Sequence, residues 1–248
     1  MNLKDLISAE IKNKPPRIVL HGVHGVGKST FAAQAPKPIF IPTEDGLTNI
    51  KVDHFPVAKT MEDVFSYLGL LITEPNEYKT VVIDTLDWLE RLIWAHVCAE
   101  QNVKSIETIG YGKGYLMAQN HWDRLLQGLD KLHDELGYAV VLLAHNEIKT
   151  FSPPDGVAYD RWQIKLYKTA AARIEEWADI VLFANFKTHI NTTNQKVVNN
   201  SERVIYSANR PAWRAKTRYP LPDELIMDFD ALLAALKSQT TPGGKQDE

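Results

Sequence analysis

The chain carries one cysteine, Cys98, among 248 residues. A disulfide framework within the chain is excluded, and a reducing compartment is the natural setting. Long apolar runs are also missing, and none reaches the ~20 residues of a membrane-spanning helix. The opening stretch, residues 1–16, is polar and lysine-bearing, without the apolar segment of a secretory signal. The expectation is a cytoplasmic protein with no membrane partner. A surplus of positive charge is absent too. The formal net charge is −3, so any nucleic-acid site has to be a local basic patch. The histidines are scattered and meet one cysteine, which gives no zinc spacing. No serine- or cysteine-hydrolase elbow is found. There is no internal repeat and no sign of a second domain. Residues 1–237 are expected to form a single domain, and 238–248, polar with glycine and proline, a disordered tail.

What is present is a series of short, continuously apolar runs. Arg17–Gly22, Pro38–Glu44, Thr80–Thr85, Ala139–His145 and Asp179–Phe186 read as strands. Continuous rather than alternating apolarity marks strands covered on both faces. Between them, Met61–Ile72, Thr85–Gln101 and Leu116–Leu136 carry apolar residues at helical spacing. The order predicts an α/β fold with a mostly parallel sheet flanked by helices. Glu202–Ala208 reads as a strand after the Asn/Thr-rich turn Asn191–Asn200, forming a C-terminal β-hairpin extension with Asp179–Phe186. Phe229–Lys237 reads as a terminal helix.

Gly22-Val23-His24-Gly25-Val26-Gly27-Lys28-Ser29, followed by Thr30, matches the phosphate-loop pattern G-x-x-x-x-G-K-[ST], between a strand and a helix. Glycines let the backbone close round phosphates with its N–H groups inward. The start of the following helix adds favourable dipole charge. Lys28 can reach the β- and γ-phosphates of ATP, and the Ser29 hydroxyl suits Mg²⁺. Asp84, ending the strand Thr80–Thr85, is placed to complete the Mg²⁺ shell; its plainer role is to cap the next helix. The next residue is Thr85, so no carboxylate follows directly to activate water. Glu44, at the tip of the second strand, is the candidate general base, with Asp45 as the fallback.

Together these features resemble the RecA-like branch of P-loop ATPases. They are GVHGVGKST, Glu44, VVIDT without a following glutamate, and a strand ending in His145. The resemblance covers about Arg17 to Asp228 and looks nearest to short phage-encoded proteins of the RecA core, which include single-strand-annealing recombinases. It implies that His145 senses the γ-phosphate. It also implies that Lys216 and Arg218, in Lys216-Thr217-Arg218, form a finger reaching a neighbouring subunit's nucleotide, so that catalysis needs a homo-oligomeric ring or filament. Two stretches match the DNA-facing loops of that branch, Lys104–Tyr115 and Asn146–Lys168. They offer Lys113, Lys149, Arg161, Lys165 and Lys168, interleaved with aromatics as suits single-stranded DNA. The resemblance is expected to stop short of the long N-terminal arm and added C-terminal domain of full-length RecA. The implied function is a DNA-stimulated ATPase of recombination, annealing or repair, with a single-strand-binding protein as a possible partner. The alternatives are a P-loop kinase of a nucleoside or small metabolite, for which no arginine-rich lid is seen, and a slow ATP-switched loader.

Overall fold

The structure, a computed structural model, describes residues 14–190 and 197–238, with side chains described outside 188–200. The expected tail beyond Ser238 and most of the Asn/Thr-rich turn lie outside the described residues. The strands are β1 (Arg17–Gly22), β2 (Pro38–Pro42), β3 (Asp53–His54), β4 (Thr80–Asp84), β5 (Ala139–Phe151), β6 (Tyr159–Ile164), β7 (Ile180–Ile190), β8 (Val197–Tyr206), β9 (Lys216–Thr217) and β10 (Glu224–Ile226). The helices are α1 (Lys28–Ala33), α2 (Met61–Thr73), α3 (Leu86–Glu100), α4 (Lys113–Leu136), α5 (Lys168–Trp177) and α6 (Phe229–Lys237).

The strands form one sheet in the order β10-β8-β7-β1-β5-β4-β2-β3, with β6 added to β5 and β9 to β7. The run β7-β1-β5-β4-β2-β3 is parallel throughout, and β8 returns antiparallel along β7 as the expected hairpin. Both faces of the central strands are apolar for a reason visible in the core. Val19, Ile41, Val81, Ile83 and Leu142 face a layer built from α2, α3, α4 and α5. Ile18, Leu20, Phe40, Val82 and Leu143 face α1 and α6. Each such side chain, fully buried, contributes about 1.5–3 kcal/mol. This explains why the long amphipathic α4 docks Trp122, Leu125, Leu129 and Leu132 onto the sheet.

Two expectations about segments need correction. Ala139–His145 does not end at His145: β5 runs on to Phe151 and turns back as β6, so Asn146–Lys168 is a β-hairpin leading to α5 rather than a loop. Its alternating residues pair across the ladder, Lys149 opposite Arg161, which a reading for continuous apolarity passes over. Lys104–Tyr115 is also partly ordered, with a short 3₁₀ turn at Ile106–Thr108 and Lys113 opening α4.

No helix among the described residues is long and apolar enough to cross a membrane.

Candidate active site

Parallel strands deliver their C-terminal ends to one edge of the sheet, and that edge gathers the polar residues. β5 lies between β1 and β4 and sets Gly22 level with His145. The phosphate loop, Glu44, Asp84, Thr85, His145 and Arg203 line one cavity of about 270 Å³. A larger cavity of about 550 Å³ lies elsewhere, lined by Arg161, Glu175, Arg214 and Lys216. There Arg214 pairs with Glu175, Lys216 donates to backbone carbonyls, and Arg161 lies over the Phe151 ring. Convergent chemistry therefore marks the smaller cavity as the site.

The glycines of the loop divide by cause. Gly25 and Gly27 hold φ of +72° and +100°, the left-handed region that disfavours side chains. Gly22 is needed for another reason: a Cβ there would stand 2.4 Å from the Ala184 carbonyl oxygen of β7. Packing of the neighbouring strand, not a phosphate, excludes a side chain at Gly22. Val26 is buried and anchors the loop, while His24 is exposed and stacks on His145 with centroids 3.8 Å apart.

Lys28 is buried and donates to the carbonyls of its own loop, Gly22 (3.0 Å) and Val23 (3.1 Å). Burial lowers its pKa, against the opposing pull of Asp84, Asp87 and Glu44. The Ser29 hydroxyl donates to Asp84 Oδ2 at 2.6 Å. Burial raises the Asp84 carboxyl, and the Ser29 bond works against that rise. A hydroxyl and a carboxylate in contact are the hard oxygen ligands that suit Mg²⁺, so the residues fit the ion. Thr30, next in α1, lines the same cavity.

The tips of β2 and β4 are clasped. Thr43 Oγ1 donates to the Thr85 carbonyl (2.7 Å) and accepts from the Thr85 amide (2.8 Å). The Asp84–Thr85 peptide is cis. The Thr85 hydroxyl donates to Glu44 Oε1 at 3.1 Å, which turns that carboxylate into the cavity. Asp45 is exposed and faces Thr48, so the two acids that the sequence left as alternatives are separated by position.

His145 is held by a residue with no motif to announce it, Asp87 in the first turn of α3. The Asp87 carboxylate accepts from the His145 amide (3.1 Å) and lies 3.0 Å from Nδ1 through each oxygen. Burial resists ionisation of Asp87, but the bonds from His145 outweigh it and hold the carboxyl at about 2. An ionised carboxylate only accepts, so Nδ1 carries the proton. Nε2 is then left facing the cavity, 3.9 Å from Glu44 Oε1. One turn further, Glu90 is buried and accepts from the Tyr167 amide at 3.1 and 3.0 Å. Burial foremost, with Asp87 and Glu147 adding, pushes Glu90 up to about 7.

Lys216 and Arg218 lie elsewhere. Lys216 pairs in register with Val181, near the start of β7, at the opposite edge of the sheet from the phosphate loop. Its Nζ donates to the Glu175, Glu176 and Ala178 carbonyls at the end of α5, and Arg218 pairs with Asp179 at 2.9 Å. Of the basic residues read as DNA-facing, Lys113, Lys149, Lys165 and Lys168 are exposed. Lys149 pairs with Glu147 at 2.7 Å. Arg161 lies over the Phe151 ring at 4.1 Å.

Three residues were invisible to motif reading: Thr43, Asp87 and Arg203. Arg203 shares the period-2 face of buried Ile205, the one signal that could have aimed it inward. Two of the histidines scattered along the chain meet in the fold: His96, Glu100 and His121 converge, with Glu100 3.2 Å from each ring.

Comparison with known proteins gives a relative and a family. The chain is 22% identical over 219 residues to the SPbeta prophage-derived uncharacterized protein YorG of Bacillus subtilis (strain 168). That similarity spans 86% of this chain and 62% of the relative, so less than two thirds of the relative's length is represented. Residues 14–219 match the AAA domain model across the phosphate loop, the Asp84 strand and the β7–β8 hairpin, and the chain belongs to the AAA domain family, a P-loop ATPase family.

Proposed function

We propose that this protein is a RecA-like ATPase that hydrolyses Mg²⁺–ATP and couples the reaction to single-stranded DNA in phage recombination, annealing or repair. The observation that carries the coupling is the course of β5. The strand that holds His145 at the nucleotide cavity runs without a break into the hairpin bearing Lys149 and Arg161. Lys165 is tied back to the same point, its amide donating to the His145 carbonyl at 2.9 Å. A displacement of His145 by a bound γ-phosphate is thus passed to a basic, aromatic surface suited to a single strand. The prophage origin in the relative's name supports the phage setting.

The residues divide the work of hydrolysis. Lys28 leaves its loop carbonyls for the β- and γ-phosphates, exchanging neutral acceptors for charged ones. Ser29 and Asp84 hold Mg²⁺. Glu44, steadied by Thr85, takes the proton of the water whose oxygen attacks the γ-phosphorus. The bond to the bridging oxygen then breaks and ADP leaves. A positioned base of this kind is worth about 10²–10⁴-fold in rate. His145 orients the γ-phosphate as the imidazolium paired with Asp87, because phosphate oxygens only accept and Nε2 must carry a proton to donate to them. Assembly into a ring or filament, and delivery of DNA by a single-strand-binding protein, belong to the same proposal. For Lys216 and Arg218 to act on a neighbour's nucleotide, they would have to give up the end of α5 and Asp179.

The test is ATP hydrolysis with Mg²⁺, with and without single-stranded DNA at low salt. Wild type is expected to hydrolyse ATP and to be stimulated by DNA, and Lys28→Ala to lose at least ~100-fold of the activity. Hydrolysis that DNA leaves unchanged, together with no DNA binding, would sink the coupling and turn the search to small phosphate acceptors.

A further inference from the structure

The reading of this cavity as a nucleotide site leaves one cation unused. Arg203 stands on β8, and its backbone is set on both sides: it pairs with Phe186 of β7, and its carbonyl accepts from the Met227 amide at 3.1 Å. The next two residues, Val204 and Ile205, are fully buried. A backbone fixed at Arg203 itself, beside a shift in the β7–β8 register, therefore presents the side chain. Its Nη1 lies 2.8 Å from the point where a Cβ would stand on Gly27, and it lines the same cavity as Lys28, Ser29 and Asp84.

The other described arginines are occupied. Arg17, Arg173, Arg210, Arg214 and Arg218 face carboxylates. Arg91, Arg124 and Arg161 lie over aromatic rings. Among the described residues, Arg203 has neither kind of partner, although Asp84 and Glu44 line the cavity with it. A guanidinium without a carboxylate, held beside a phosphate loop, has its five donors available for an incoming anion. The side chain is exposed, so it remains hydrated and mobile enough to close on a ligand.

We propose that Arg203 binds the phosphates of the nucleotide held by its own chain, an arginine contact made in cis. Gly27 then serves two ends, the left-handed turn of the loop and the room for Arg203. A chain that brings its own arginine does not need a neighbour's finger to neutralise the phosphates. Assembly would then govern DNA engagement rather than complete the catalytic charge.

The experiment compares wild type, Arg203→Ala and Arg203→Lys for binding of a fluorescent ATP analogue with Mg²⁺ and for ATP turnover. Each is then mixed with excess Lys28→Ala chains, which keep Arg203 but lack the loop lysine. Arg203→Ala is expected to lose at least ~10-fold in analogue affinity or in turnover, with its melting temperature unchanged because the side chain is exposed. Arg203→Lys should recover part of the loss, since it keeps the charge and drops the bidentate fork. Addition of Lys28→Ala chains should restore nothing. Unimpaired binding and turnover in Arg203→Ala would overturn the proposal while leaving the nucleotide reading intact. Restoration on mixing would replace it with a contact made in trans. Failure of wild type to bind the analogue would overturn the nucleotide reading itself and this inference with it.

Discussion

The two edges of the parallel sheet use the same residue types to opposite ends. At the C-terminal edge, Lys28 rests on neutral carbonyls, Asp84 on a serine hydroxyl, and Arg203 has no ionic partner among the described residues. At the N-terminal edge, charges are matched to one another. Arg17 grips Asp179 with Nε and Nη2 at 3.1 and 3.0 Å and reaches Asp130 at 3.1 Å. Arg218 adds a second cation to Asp179, and Lys216 caps α5. Asp130 also accepts from the Trp177 indole, over whose ring Arg17 lies. A satisfied cluster holds a fold together, and an unsatisfied one waits for a ligand. Charge alone does not say which is which: Lys216 and Arg218 have partners within this chain, whereas Arg203 has no ionic partner among the described residues.

The largest expected effect on this contrast comes from Asp179→Ala. It strips Arg17 and Arg218 of their shared carboxylate and the Arg17 amide of its acceptor. Loss of one partner from a half-buried ionic cluster costs about 3 kcal/mol. Urea denaturation should show the midpoint falling, with analogue binding per folded molecule unchanged. A loss of nucleotide affinity instead would mean that the two edges are not separate.

A smaller effect separates two buried titratable groups near the active edge by pH. His21, whose Nε2 lies 2.8 Å from the Arg214 carbonyl, is lowered by burial to about 4. Its unfolded value is higher, so its contribution is present above about 6.5 and is lost as pH falls toward 4. Glu90 has the reverse sign. Its folded value of about 7 exceeds the unfolded one, so its contribution is present below about 4.5 and is lost as pH rises through 7. Replacing Glu90 by Gln should therefore stabilise the protein at pH 8, by up to about 2 kcal/mol, and give no gain at pH 5. Melting curves at the two pH values check it, and an equal shift at both would show that ionisation of Glu90 is not the cause.

The smallest effect is assigned to Lys216→Met. Removing the donor to three carbonyls at the end of α5 should cost about 1 kcal/mol of stability. ATP turnover should be unchanged. A large fall in turnover at an unchanged melting temperature would support a finger acting in trans.

Much of the fold could be read along the chain because its signals are local. β1 and α6 fall at the residues that apolar runs and periodicity indicate, and α2 and α3 within one residue of them; the β7–β8 hairpin is longer than expected, with β8 beginning at Val197 inside the stretch read as a turn. The phosphate loop is legible for the same reason: its glycines, lysine and serine are consecutive, and backbone conformation demands them in that order. Glu44 and Asp84 could be proposed because each ends an apolar run, and strand ends in a parallel sheet meet at one edge.

Tertiary structure alone decided the rest. No local rule separates Glu44 from Asp45; the Thr85 hydroxyl, 41 residues away, does. Asp87 reads as an ordinary first-turn acid until β5 brings His145 beside it across 58 residues. Arg203 and Arg218 are both cations near the end of the chain. One reaches the phosphate loop and the other a carboxylate at the far edge because β8 and β9 run along different stretches of β7. Periodicity and motif determined that this chain would build a phosphate loop on a parallel sheet. Which charges face an empty cavity and which face one another depends on strand register, a long-range property fixed only when the sheet closes.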